Sequence, residues 1–418
     1  MAAESPIEAA RPPRPLDGVK VIDLSRLLPG PFATLLLADL GASIFKVEEV
    51  LGGDYARFFP PLARTMSPGF AALNRDKRGL SVDLKHPRGR DVILRLCAQA
   101  DVLVESFRPG VMARLGLDFQ TLARENPRLI VCAITGFGQT GPLAQRAGHD
   151  LGYLAQAGLA GLTGHDDEVV MPGFQAADIA GGALYGVIGI LAALYGRERT
   201  GLGRFVDASM TDGAFGLGVM LHAKDHLHVR DPLRPTRQRP GEDMLSGALL
   251  CYRPWRCQDG RYLAVGALEP KFWMAFCVAA GIPDLATDGW AEGETRTRVE
   301  GRLRVLFESR PRDEWVRLLS AHDVCVEPVL DLDEARQTAH AKLRGLFGTH
   351  FHPGEGRELL HQFPNPALLP GAEPPRDVRP APHLGADTRE VLTAFGFEPQ
   401  EIDDLAAAKA IGLGTASS

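Results

Sequence analysis

Three places in the chain set ionisable side chains at the end of a regular element. The stretch 146–158, RAGHDLGYLAQAG, puts His149 and Asp150 between Gly148 and an apolar, helix-like run, directly after the glycine- and proline-rich loop ITGFGQTGPLAQ. Asp178 stands alone among alanines in QAADIAGG, where a long apolar segment opens. Glu269, in YLAVGALEPKFW, ends a strand-like run and precedes Pro270, a natural first helical residue. Each has an ordinary explanation: Asp150 and Asp178 can cap helices, and Glu269 can be a helix N-terminal charge. Taken together they suggest more, because catalytic groups favour loops and element ends held by a rigid scaffold. An imidazole and carboxylates are groups that move protons, and a helix start beside them offers N–H groups to a developing negative charge.

Basic residues form a second candidate cluster. NRDKRG carries Asn74, Arg75, Lys77 and Arg78, and SFRPG carries Arg108. They make either an exposed charged surface or a dock for phosphates, for which arginine geometry is well suited. Other chemistries lack their motifs. There is no P-loop, no GxGxxG between strand and helix, no nucleophile elbow and no HExxH, and GFGQTG has the wrong glycine spacing for a dinucleotide. The acidic run Asp166, Asp167, Glu168 reads as a solvated loop.

The elements that must position these groups alternate in type. VKVIDLS, SIFKVEE, GLSVDL, DVLVESF and LIVCAITGF read as short apolar strands, separated by the helix-like FATLLLADLGA, PRGRDVILRLCAQA and DFQTLARENP. This alternation predicts an α/β fold with a mostly parallel sheet covered on both faces. Ligands bind such sheets beyond the carboxyl ends of the strands, where ITGFGQTGP lies. Residues 178–197 predict a long Gly- and Ala-rich helix, buried in the fold or between subunits, followed by one more strand in GRFVDASM. The proline-rich, basic stretch 228–243 reads as a linker or mobile loop. Residues 249–330 predict a smaller α/β unit with a hairpin across Asp259-Gly260 and helices near 270–280, 295–308 and 312–321. A polar, proline-rich stretch at 352–382 precedes two late helices, in DTREVLTAFGF and PQEIDDLAAAKAIG. The expected division is a disordered leader (1–15), a large α/β domain (16–225), a linker (226–248), a small domain (249–330) and a return segment with C-terminal helices on the large domain (331–418).

Bulk properties narrow the classes. A chain of 418 residues with 45% apolar and 23% charged residues fits a soluble protein of two or three domains. A net charge of −6 argues against a general nucleic-acid binder. Six scattered cysteines without a CxxC pair predict neither a disulfide framework nor a zinc site, and a reducing, cytoplasmic location. No apolar run reaches membrane-spanning length without charge or interruption, so no membrane association is expected. The start lacks an apolar signal core and the end carries no lipidation or retention signal.

Over roughly residues 16–415 the sequence resembles the family III CoA-transferases, and among them most the α-methylacyl-CoA racemase branch. The resemblance is carried by LDGVKVIDLSRLLPGPFATLLLADLGA, NRDKRGLSVDLKHPRGR, SFRPGVMARLGL, GFGQTGP, AGHDLGYLA, GRFVDASMTDG, CQDGRYLAVGALEPKFW and HLGADTREVL. Two of these discriminate. GHDLGY and GALEPKFW match the racemases, in which the residues at His149 and Glu269 are catalytic; the transferases usually lack that pair and rely on one aspartate nucleophile, at the position of Asp178. The resemblance implies a Rossmann-like large domain, a small α/β domain and an interlocked homodimer. It implies a CoA thioester substrate with no metal or separate cofactor. The CoA contacts it implies are Arg57, Asn74, Arg75, Lys77, Arg78, Arg108, Gly138 and Tyr153, although Tyr153 also reads as core packing. The chain departs from the family in KVEEVLGGD, where Glu49 and Val50 stand in place of a common Arg or Pro; Arg57, Arg75, Lys77, Arg78 and Arg108 then have to hold the nucleotide.

The chemistry implied is racemisation of a 2-methylacyl-CoA. One base cannot serve both faces of a planar enolate, so His149 and Asp178 are expected on opposite faces. Glu269 would orient His149 and stabilise its imidazolium form, and backbone N–H groups around Gly148 and Asp150 would hold the enolate oxygen. The alternative is CoA transfer, with Asp178 attacking the thioester to give an anhydride and then an aspartyl-CoA thioester.

Overall fold

The computed structural model describes residues 14–165, 168–230, 239–363 and 378–414. Almost all of the expected leader, Asp166 and Asp167 of the acidic run, and the middle of the expected linker lie outside the described residues. So do much of the proline-rich stretch before the late helices and the last four residues. The chain divides into two units. One comprises Met1–Ala157, Phe174–Gly218 and Lys342–Ser418; the other comprises Gly158–Gly173 and Val219–Ala341. The second unit therefore begins earlier than expected, with a helix at Val219–Arg230 that occupies the start of the expected linker. It also takes in the short segment Gly158–Gly173.

The first unit is built on a seven-stranded sheet. Its leading strands are β1 (Lys20–Asp23), β2 (Ser43–Glu48), β3 (Lys77–Val82), β4 (Val102–Glu105) and β5 (Ile130–Thr135). The order across the sheet is Ile411–Gly412, β3, β2, β1, β4, β5, Phe205–Ser209. Every pair is parallel except the antiparallel addition of Ile411–Gly412 to β3. Strands this apolar are buried on both faces: Ile22, Ile44, Leu80, Leu103 and Ile130 are all covered by the flanking helices. Those helices start where the sequence places proline, at Pro29–Asp39, Pro68–Asn74 and Pro87–Cys97. Strand order reverses between β1 and β4, so the loops after these strands flank a topological switch point, the usual ligand crevice of an open α/β sheet.

The long helix runs from Ala177 to Thr200, and its first turns, Ala177–Leu184, are π-helical. It crosses the helix Met210–Leu217 at backbone contact. A Cβ added at Gly213 would stand 2.0 Å from the Gly181 carbonyl oxygen, and one at Gly181 would stand 2.6 Å from that of Met210. Gly186 and Gly189 likewise press on Ile134 and Val206. The glycines of DIAGG and MTDG thus fix where Asp178 sits. This helix is the one segment among the described residues long and apolar enough to cross a membrane; here one of its faces packs on β5 and Phe205–Ser209.

A buried ionic cluster lies beneath β1. Lys77 Nζ stands 3.1 Å from Asp23 Oδ2 and also donates to Thr34 Oγ1, Asn74 Oδ1 and the Pro31 carbonyl. Lys46 pairs with Asp54 at 3.1 Å, and Arg75 with Asp39 at 2.7 Å. Arg57 forks onto Glu48 through Nε (2.8 Å) and an Nη (2.6 Å). The opposed lysines hold the Asp23 carboxyl down at about 2 despite burial, whereas burial pulls Lys77 down to about 8. Of the expected CoA contacts, Arg57, Asn74, Arg75 and Lys77 have buried side chains, and the three charged head groups pair with carboxylates of the same chain. Because removing one partner leaves a buried charge uncompensated, Lys77→Met is expected to cost about 3–5 kcal/mol of unfolding free energy in a denaturant titration. A change below about 1 kcal/mol would contradict this structural role.

The second unit holds a three-stranded antiparallel sheet, with Tyr252–Arg256 and Val326–Pro328 on either side of Tyr262–Gly266. Gly260 supplies the left-handed residue of the hairpin turn (φ 79°). Helices Pro270–Ala279, Gly293–Phe307 and Arg312–Leu319 cover it, around a core of Trp255, Trp273, Phe276, Phe307 and Trp315. The hairpin of Phe347–His352 and Arg357–Gln362, which packs on Pro68–Asn74 in the first unit, was not foreseen, nor was the strand Ile411–Gly412 at the end of the expected helix PQEIDDLAAAKAIG.

Candidate active site

The loop after β5 leads to the helix Asp150–Gln156, with His149 as its N-cap residue. The His149 side chain makes no capping bond and is exposed, as the ordinary reading of the site also expects of it. The N–H groups of Gly152 and Tyr153 bond back to the His149 carbonyl. Those of Asp150 and Leu151 have no acceptor among the described residues, which leaves two adjacent donors pointing out of the helix start. With only 7 residues the helix offers these local donors rather than a large macrodipole.

Asp150 does not cap its own helix. Its Oδ1 accepts the backbone N–H of Asp178 at 2.9 Å, tying the two candidate segments together across 28 residues of sequence. Asp178 thereby stands at the mouth of the π-helical turn. Its Oδ1 is buried and accepts no hydrogen bond among the described residues. Burial, and then the neighbouring Asp150 charge, push the Asp178 carboxyl up to about 7. A capping aspartate is stabilised as an anion; this one is destabilised as an anion, the state that makes a carboxylate a stronger base.

A carboxyl raised from 3.8 to about 7 binds more protons folded than unfolded, so its contribution to stability falls as pH rises through that window. Asp178→Asn is expected to be more stable than the wild type at pH ~8, by a margin that shrinks at pH ~5. Equal margins at both pH values, by thermal or chemical denaturation, would contradict the raised carboxyl.

Tyr153 is buried beneath this pair. Its ring meets Phe137 edge-on (5.2 Å, 85°) and lies so close to Gly136 and Gly148 that a Cβ at either would stand within 2.6 Å of it. Both glycines are needed for that contact, which answers why His149 and Asp150 are preceded by glycine. Burial and the Asp178 and Asp150 charges raise the phenol to about 12, so it stays protonated. Gly138 adopts a left-handed conformation (φ 78°) in the same loop, where the Gln139 N–H donates to Asp207 (3.0 Å).

Glu269 is the exposed N-cap residue of Pro270–Ala279 and forms no side-chain cap. It belongs to the second unit, whereas His149 and Asp178 belong to the first. Of the expected CoA cations, Arg78 pairs with Glu390 and Arg108 is exposed after β4, with no ion pair among the described residues.

With this geometry in hand, comparison with known proteins is decisive for the family. The profile of CoA-transferase family III matches residues 16–388. The chain belongs to CoA-transferase family III. Within the family it is 36% identical over 403 residues to the human alpha-methylacyl-CoA racemase, covering 95% of this chain and 97% of that protein. It is 32% identical to the succinyl-CoA:glutarate CoA-transferase of Mus musculus, covering 91% and 86%. A crystal structure of a CAIB/BAIF family protein from Brucella suis has the same fold, with a TM-score of 0.78, 30% identity and coverage of 92% and 100%. Family III membership makes the chain an enzyme of a superfamily that contains both racemases and transferases.

Proposed function

We propose that this family III member is an acyl-CoA racemase that inverts the α-carbon of a 2-methylacyl-CoA thioester. The observation that carries the reading is Asp178: a half-buried carboxyl pushed up to about 7, bonded through its backbone to the residue that follows His149. The α-proton of a thioester is a weak acid, so a base of raised pKa suits its removal better than an ordinary carboxylate does. Asp178 takes or returns the proton on one face of the enolate and His149 acts on the other. The unpaired N–H groups of Asp150 and Leu151 hold the enolate oxygen; each well-placed donor contributes about 3–4 kcal/mol, by analogy with other oxyanion holes. No separate cofactor takes part, since side chains carry both protons.

The test is incubation with (R)- or (S)-2-methylacyl-CoA in D2O without any second carboxylic acid. Deuterium at the α-carbon together with loss of optical purity is expected. Turnover that requires an acceptor acid, with no deuterium at the α-carbon, would overturn the reading.

The active assembly in this proposal is a homodimer whose chains interlock. Leu184, Tyr185, Ile188 and Tyr195 leave an apolar face of the long helix open, with Ile188 60% and Tyr195 70% exposed, as a subunit interface would require. The chain also leaves the first unit at Val219 and re-enters it at Lys342, a path compatible with threading. Tagged and untagged dimers mixed under native conditions are expected not to exchange subunits over days. Hybrid dimers appearing within minutes would exclude interlocking.

A further inference from the structure

Arg26 has no assigned role, yet its surroundings are built for one. It follows β1 by three residues, at the switch point between β1 and β4. Its backbone N–H donates to Ser106 Oγ at 3.1 Å, and so ties the loop after β1 to the loop after β4. The guanidinium lies over the rings of Phe107 (5.1 Å) and Tyr55 (5.5 Å). Such ring contacts hold a guanidinium by its π-system and leave its in-plane N–H donors unmet. Arg57, Arg75, Arg197 and Arg312, the buried arginines, all pair with carboxylates. Half-buried Arg26 pairs with none among the described residues.

The corner that presents Arg26 is strained and over-determined. Leu27, the next residue, has a left-handed backbone (φ 67°), unusual for leucine. Its N–H donates to both Asp54 carboxylate oxygens (3.1 and 3.2 Å). Asp54 pairs with Lys46, which donates to the Ser25 carbonyl (2.9 Å). The buried Lys46–Asp54 pair therefore braces the loop carrying Arg26. Backbone strain held this firmly is typical of binding sites. Across the switch point Arg108, two residues beyond Ser106, brings a second cation that makes no ion pair among the described residues. Leu27 and Leu28 line an apolar cavity of about 450 Å³ with Phe59, Phe70 and Gln175, and its lining holds no cation for an anionic group.

We infer that Arg26 is a substrate-binding residue whose free guanidinium edge grips the diphosphate of the CoA moiety, opposite Arg108. This rests on the reading that the substrate is a CoA thioester. It takes up the role that buried Arg57, Arg75 and Lys77 cannot fill, and planar N–H pairs suit phosphate oxygens.

The test compares wild type, Arg26→Gln and Arg26→Lys by calorimetric titration with free CoA, and by KM for 2-methylacyl-CoA and for the same acyl group on pantetheine, which lacks the diphosphate. Arg26→Gln is expected to weaken CoA binding about 10- to 100-fold, as loss of charge-assisted hydrogen bonds does, and Arg26→Lys to recover part of the loss. The KM for the pantetheine thioester should be the same in all three proteins, a selectivity that a merely structural defect does not give. Arg26→Gln that binds CoA like the wild type would overturn the inference alone. An equal loss with the pantetheine thioester would overturn it too, by moving the contact to the acyl side or to the fold. A wild-type chain that binds no CoA would overturn the parent reading along with it.

Discussion

Asp178→Asn is expected to slow inversion at the α-carbon by about 10²–10⁴-fold, the range for loss of a positioned general base. The side chain keeps its size and the backbone bond to Asp150 persists, so the fold is retained. The loss should be selective. With His149 still present, the enantiomer whose proton faces the histidine continues to exchange with solvent, but its configuration no longer inverts. The other enantiomer neither exchanges nor inverts. NMR of each enantiomer in D2O reads both effects at once. Equal loss of exchange for the two enantiomers would argue against a separate base on each face.

His149→Ala is expected to give the mirror result, with a similar loss of about 10²–10⁴-fold in inversion. Exchange should survive only for the enantiomer that faces Asp178. Because His149 is exposed and caps nothing, its removal has little structural consequence, and thermal stability should change by less than about 1 kcal/mol equivalent. A variant that still racemises at near wild-type rate would remove the histidine from the mechanism and return it to the surface role its local sequence also allows.

The scaffold was legible because its signals are local. Each of β1 to β5 is a short apolar run, and prolines mark several helix starts, so the sheet of the first unit could be read with bounds close to those observed. The roles of NRDKRG were not legible, because its partners are distant. Lys77 meets Asp23 and Arg75 meets Asp39, more than 30 residues away in each case, and only the parallel pairing of β2 with β3 and β1 with β2 brings them together. Charge clustered in sequence then looks like surface. Arg26 was missed for the converse reason. It is a lone arginine in LSRLLPG, and nothing local tells that Tyr55 and Phe107 will hold it without a counter-ion. The hairpin Phe347–Gln362 was hidden by its PGEG turn and its histidines, which resemble a polar loop.

At the site, the sequence singled out His149, Asp150 and Asp178 but not what joins them. The bond from the Asp178 N–H to Asp150 and the close crossing of Gly181 and Gly213 are tertiary facts. They turn an apparent helix cap into a half-buried carboxyl pushed up to about 7. The family alone does not choose between racemisation and CoA transfer, since relatives of both kinds match at similar identity. The choice turns on what Asp178 does with its electrons: it takes a proton in one case and attacks a carbonyl in the other.

That difference leaves a covalent record. An aspartyl-CoA thioester or aspartyl anhydride is trapped by hydroxylamine as a hydroxamate on the side chain, which shifts the mass of the peptide containing Asp178. The most direct measurement is therefore peptide mass spectrometry after incubation with 2-methylacyl-CoA and hydroxylamine in D2O, with α-deuteration followed in the same sample. The racemase account predicts deuterium at the α-carbon and an unmodified Asp178. A hydroxamate at Asp178 that forms only with acyl-CoA, at a rate matching turnover, would contradict it and make Asp178 the nucleophile of a CoA-transferase.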